Sequence, residues 1–185
     1  MIQNAKLSAR GFTTSAVHIL EQLGPRAADR RMSAEVTEQS INMLALLALL
    51  RWERKVGLAA LERMNVNVDS LARRVDQTLS TLCHDIRRQA GPPQYQTLPS
   101  GQRALVVDFD TPLEPLLASA EAEALWMDHT YIGTEHLLLG VIRRSCPRLR
   151  EVLQEHGITY VRVKGIIIEV LRGANPELSR PDSPG

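Results

Sequence analysis

The sequence predicts an all-α fold, with two pseudo-symmetric four-helix repeats packed into one helical domain. Three observations carry that prediction. The 185 residues are 44% apolar but only 4% aromatic, so the core must be aliphatic, which suits packed helices better than sheets. Apolar residues recur at helical spacing, as in Leu71, Val75, Leu79, Leu82 and Ile86. The chain also repeats itself. A shift of 92 positions lays Leu46-Leu-Ala-Leu-Leu-Arg51 on Leu138-Leu-Gly-Val-Ile-Arg143, and carries Leu61, Val66, Leu71, Val75 and Leu79 onto Leu153, Ile158, Val163, Ile167 and Leu171 without a gap. A shift of 97 places Phe12, Ile19 and Leu20 on Phe109, Leu116 and Leu117, so the first unit is five residues longer near its middle.

Each unit reads as four helices. In the first, Thr13 or Thr14 caps a helix carrying Ala16, Ile19, Leu20 and Leu23, with a stop at Gly24-Pro25. A second helix runs from Ser33 or Thr37 to Arg54, a third from Gly57 to Met64, and a fourth from Asp69 along the Leu71 stripe. The second unit repeats the order over 111–127, 134–144, 147–156 and 160–172. Ser145 and Pro147 open its third helix, and Gly157 and Gly173 are the expected stops for its third and fourth.

The boundaries follow. Residues 1–10 form an N-terminal extension, 11–88 the first repeat, 89–108 a linker, 109–173 the second repeat, and 174–185 a tail expected to be disordered. Within the linker, Ala104 to Asp108 fits either a short strand or an extended approach to the next helix.

Composition excludes several function classes. The 22 basic and 21 acidic residues leave a net charge of +1, which points to neither nucleic acid nor a membrane surface as partner. Through Ser100 the chain holds 13 basic and 9 acidic residues, and 9 and 12 after it, a mild asymmetry. Met1 to Arg10 lacks a signal-peptide core, and Ile41 to Leu50 is too short to span a bilayer. Cys83 and Cys146 lack paired metal or redox spacing, so a cytoplasmic location with free thiols is expected.

The chemistry-bearing motifs are weak. No GxxxxGK[ST] phosphate loop occurs, Ser119 and Ser145 lack a GxSxG setting, and Cys146 has no nominated base. No enzyme activity and no cofactor are expected. His129 and His136 stand seven apart rather than at the four-residue spacing of helical zinc ligands, so no metal site is expected. Glu121, Glu123 and Asp128 read as a solvated helix face, and Trp52 and Trp126 as core-edge residues.

One segment stands apart. His129-Thr-Tyr-Ile-Gly-Thr-Glu-His-Leu-Leu-Leu-Gly-Val-Ile-Arg143 reads as a helix start, with Gly133 at the turn, Thr134 as cap and Leu137, Leu138, Val141 and Ile142 on one face. It resembles the central motif of the Clp repeat domain, the N-terminal docking module of Clp-type AAA+ unfoldases. The resemblance extends through Phe109, Ala120, Ala124, Val152-Leu153 and Gly157-Ile158 to the stripe of Val163, Ile167 and Leu171, and more loosely through Phe12-Thr13 and Leu58-Ala-Ala-Leu61 in the first unit.

That resemblance implies a stand-alone Clp repeat protein without ATPase modules. It would be an accessory or adaptor that docks clients, adaptors, the Clp ATPase or the protease core. A regulator of the same fold with an unrelated protein partner is the alternative, and oligomeric state is left open. Some family members bind phosphoarginine through a glutamate of the Gly-Thr-Glu-His motif and a threonine just after the phenylalanine in each repeat. Carried over, this gives Glu135, Thr134 and His136 in the second repeat, with Asp110 in the threonine's place and Thr111 one position later. The first repeat keeps Thr13 but has Asn42-Met43-Leu44 where Thr-Glu-His would stand. An extra carboxylate at Asp110 would repel phosphate, so at most half of that machinery is expected to survive. The residues also fit local roles, Thr134 as a cap and Glu135 as a first-turn carboxylate, each about 1 kcal/mol or less. For Thr134 the cap is the preferred reading.

Overall fold

The computed structural model describes residues 11–29, 32, 36–51, 56–89, 95–97, 103–105 and 110–174. The first repeat contains β1 (Gly11–Phe12), α1 (Thr14–Glu21), α2 (Leu23–Asp29), α3 (Glu38–Arg51), α4 (Val56–Arg63) and α5 (Val68–Gln89). A hairpin of β2 (Tyr95–Thr97) and antiparallel β3 (Arg103–Leu105) follows. The second repeat contains α6 (Asp110–Trp126), β4 (Tyr131–Ile132), α7 (Thr134–Arg143), α8 (Pro147–Glu155) and α9 (Tyr160–Ala174).

The 92-residue shift survives down to individual hydrogen bonds. At the end of α4, Asn65 has φ 56° and Val66 N–H donates to Leu61 O at 3.1 Å. At the end of α8, Gly157 has φ 67° and Ile158 N–H donates to Leu153 O at 2.8 Å. Both are left-handed caps, which only Gly, and less readily Asn, adopts at low cost. The next helices start alike. Asn67 Oδ1 accepts from Ser70 N–H to open α5, and Thr159 Oγ1 accepts from Arg162 N–H to open α9. Thr37 opens α3 in a reciprocal pair with Ser40, each side-chain oxygen accepting from the other's backbone N–H.

Two helices form the centre. Every residue from Ser40 to Leu50 on α3 and from Thr134 to Ile142 on α7 is buried, the largely apolar α3 on all sides and α7 together with its polar first turn of Thr134, Glu135 and His136. The two pack against each other, and the repeats interlock further through α4 against α9 and α5 against α8. α6 and α7 approach closely. A Cβ on Gly140 would lie 3.2 Å from the Ala120 amide nitrogen and 3.3 Å from the Leu116 carbonyl.

Some expectations need correction. Gly24-Pro25 does not end the first helix. The chain bends at Gln22, whose N–H is shared between His18 O and Ile19 O, and Pro25 then sits in the first turn of α2, where its missing donor is harmless. Gly173 lies inside α9 rather than ending it. Of the linker, Tyr95–Thr97 and Arg103–Leu105 form a hairpin, which decides the alternative left open at Ala104 in favour of a strand. The extension at 1–10, the end of the second helix at 52–54 with Trp52, and the tail from Asn175 lie outside the described residues. Among the described residues no helix is long and apolar enough to cross a membrane.

Candidate functional site

The conspicuous motif forms a corner between the repeats. β1 runs parallel to β4, with Gly11 beside Tyr131 and Phe12 beside Ile132, and Thr13 N–H donates to Ile132 O at 3.0 Å. Thr13 then caps α1, its Oγ1 accepting from Ala16 N–H at 3.2 Å. Thr13 of the first repeat and Glu135 of the second, three residues after Ile132, are thereby brought to one corner. The repeat-by-repeat bookkeeping hid this, because β1 crosses over to the other repeat.

Glu135 is turned inward. It is 4% exposed, and its carboxylate folds over Gly133 so closely that a Cβ there would lie 2.5 Å from Oε1 and 2.6 Å from Oε2. Gly133 is extended (φ −103°), so what requires glycine is space rather than a turn conformation. Burial pushes the Glu135 carboxyl above its ordinary value, against the opposing pull of its own amide, His129 and Thr134. Tyr131, at the rim, is raised by burial and then by the Glu135 charge.

The cap of α7 is Gly133, not Thr134. Thr134 is the first helical residue, and the side chain that reaches back is His136, whose Nδ1 accepts from Gly133 N–H at 2.9 Å. His136 is fully buried, and that burial, followed by its electrostatic interaction with His129, pulls its pKa down to about 4. It is therefore neutral at pH 7, and its 3.6 Å approach to Glu135 is not an ion pair.

His129, Glu135 and His136 bring ligand atoms within 4.8 Å of one another. Sequence spacing missed this convergence because the His136 ring reaches back to Gly133 at the start of α7 and so meets His129. The hydrogen bonds nevertheless fit a metal poorly. With Nδ1 of His136 accepting from Gly133, the neutral ring must carry its proton on Nε2, which then donates to His129 Nδ1 at 2.9 Å. A protonated Nε2 has no lone pair for a metal, so the pair is a proton-ordered hydrogen bond. The rings support it, with His129 stacked on Tyr131 at 5.0 Å and edge-on to His136 at 4.9 Å.

The remaining candidates lie elsewhere. Thr111 is exposed at the start of α6, about 22 Å along the helix from its end at Trp126, and hence away from this corner. Asn42, Met43 and Leu44 are core residues of α3, where Asn42 Nδ2 donates to Arg144 O at 3.1 Å.

Sequence reasoning also missed a charged cluster. Glu123, read as solvated, is 1% exposed. It accepts from Tyr160 Oη at 2.8 Å, Lys164 Nζ at 2.9 Å and Arg143 at 3.0 Å. Burial alone would raise its carboxyl, but Lys164, Tyr160 and Arg143 together outweigh that and hold it below the ordinary value. Trp126, expected at the core edge, is 64% exposed instead, with Lys164 Nζ 3.4 Å from its ring centroid. The α6 and α9 partners are far apart in sequence, so local patterning gave no signal.

Two interlocked helical repeats, with their acidic and imidazole groups held in internal hydrogen bonds, define a class of helical repeat domain. Residues 108–184 match the family model described as the Clp repeat (R) N-terminal domain. The second repeat is thus similar to the Clp repeat N-terminal domain family. The chain is 28% identical over 133 residues to a probable ATP-dependent Clp protease ATP-binding subunit of Chlamydia pneumoniae, covering 72% of this chain and 14% of that protein. It is 32% identical over 80 residues to an ATP-dependent Clp protease ATP-binding subunit ClpA homolog of Cyanidium caldarium, and 35% identical over 80 residues to that of Guillardia theta. Those two matches cover 43% of this chain and 9% and 10% of the relatives. The chain thus spans no more than about a seventh of these relatives' length. Its fold is similar to a solved chain from structural investigations of a malarial protein secretion system, with a TM-score of 0.60, 20% identity, and coverage of 87% of this chain and 95% of that one.

Proposed function

We propose that this chain is a protein-docking module that serves a Clp unfoldase or its protease as an accessory or adaptor, holding clients, adaptors or Clp subunits on its helical surface. The observation that carries the reading is the β1–β4 pairing, which sets Thr13 of one repeat on Ile132, three residues before Glu135 of the other. Tyr131, 36% exposed, forms the open side of that corner. A carboxylate is suited to a guanidinium-type group on a partner protein, since it accepts two parallel N–H bonds. Glu135 must swing off Gly133 to make them. Thr134 and His136 act from behind it, shaping the helix start, and Thr111 belongs to a separate surface.

Binding of the purified chain to Clp ring, protease core and an arginine-phosphorylated peptide tests this, with Glu135→Ala as the control. Binding to at least one of them, weakened by the substitution while circular dichroism is unchanged, is the expected result. Binding to none would refute the reading. A regulator with an unrelated protein partner is the second reading, favoured by Met43, which stands where the first repeat would need its own glutamate and is fully buried.

A further inference from the structure

Where the end of α6 meets the start of α9, the molecule shows large apolar side chains to solvent. Leu125, Trp126 and Val161 are 63%, 64% and 79% exposed. Lys164 links them. It lies one turn after Val161 on α9, and its ammonium sits 3.4 Å from the Trp126 ring centroid. Lys164 is itself held at 2.9 Å by both Glu123 and Tyr160. The indole is thus backed by a fixed cation rather than left to rotate freely, and an aromatic side chain ordered in advance loses little entropy when a partner covers it.

Size and charge select the occupant. Three such side chains offer on the order of 400 Å² of apolar surface. A stable association of folded copies needs roughly 800 Å² on each side, so the face suits a short peptide segment better than a second copy. In the charged cluster beside it, Glu123 is 1% exposed while Arg143 is 58% exposed, so an incoming chain meets the cation and not the carboxylate. Arg162, next to Val161, adds a second exposed cation, against Asp128 just beyond Trp126.

We propose that this face docks a short apolar peptide segment carrying carboxylates, with its apolar side chains against Leu125, Trp126 and Val161 and an acidic group at Arg143. The proposal rests on the docking role only in taking the occupant to be part of a protein, and purified components separate the two.

The test uses Trp52→Phe, which leaves Trp126 as the only tryptophan of the two in the chain. Its fluorescence is followed while adding a 12-residue peptide of Leu and Glu, or the same peptide with Lys for Glu. Saturable change with the acidic peptide is expected, with about tenfold weaker binding for the basic one. A further Leu125→Ser/Val161→Ser change should weaken the acidic peptide about tenfold, with the helical dichroism intact. Equal binding of the two peptides, no response to either, or undiminished binding after the double change would overturn the proposal. So would sedimentation showing that a second copy covers this face. Clp ring binding without peptide binding would remove this face and leave the docking role. Peptide binding here without any Clp component would support the face and count against that role.

Discussion

Acidification should destabilise the protein through His136. The ring is fully buried and accepts from Gly133 N–H through Nδ1, so protonation would convert an acceptor into a donor aimed at another donor. Its pKa is about 4 in the fold, against the ordinary 6.5. A group depressed on folding contributes stability that is fully present above its unfolded pKa. That stability drains away as pH falls toward the folded value, because only the unfolded chain takes up the proton. Linkage over this interval amounts to about 2 kcal/mol by pH 5, relative to pH 7.5. Glu135 works the other way, since its folded pKa is raised, so a single pH series would mix the two. His136→Asn resolves them. It keeps an acceptor near the Nδ1 position, does not titrate, and leaves Glu135 in place. Urea unfolding of both chains at pH 7.5, 6 and 5 should show the variant less stable at pH 7.5 and the gap closing by about 2 kcal/mol at pH 5. Parallel loss of stability in the two chains would refute the assignment of a neutral, accepting His136.

Other consequences are as direct. Gly133→Ala places a methyl group against the Glu135 carboxylate. Because that group is the mobile end of a side chain, the cost should stay below about 1 kcal/mol, while the Glu135 pKa, read by NMR titration, moves back toward that of an exposed carboxyl. Gly140→Ala instead meets backbone atoms of α6 and should cost about 1–3 kcal/mol in thermal or urea unfolding. Full stability would mean that α6 and α7 separate more easily than their packing indicates. Glu123→Ala leaves Lys164 partly buried beside Trp126 without its carboxylate and should cost about 3 kcal/mol. The loss relative to the unsubstituted chain should shrink below the ordinary carboxyl pKa, because a depressed carboxyl contributes only above it. An unchanged midpoint for Glu123→Ala would show the cluster to be incidental.

The elements readable from the chain alone are those whose cause is local. The Leu71-to-Ile86 stripe, the Pro147 opening and the stop at Gly157 each depend on residues a few positions apart, so the helices of the second repeat emerge within two residues of their expected bounds. Where a local rule failed, a distant residue overruled it. Thr134 has a capping side chain, yet Gly133 is the cap because His136 reaches back to it. Glu123 has the pattern of a solvated acid, yet α9 covers it with Tyr160 and Lys164. At the candidate site, residue types and the Gly-Thr-Glu-His motif were legible, but their company was not. Thr13 reaches the strand that leads to Glu135 only because β1 pairs with β4 across 120 residues of chain.

Sequence alone therefore determined the helical class, the duplication and the family likeness of the second repeat, because hydrophobic period and capping chemistry are written in neighbouring residues. Tertiary structure decided which acids are buried, which tautomer His136 holds, which Trp faces water and which residues from opposite repeats share a corner. These depend on who desolvates whom, and that is set by helices meeting from distant parts of the chain.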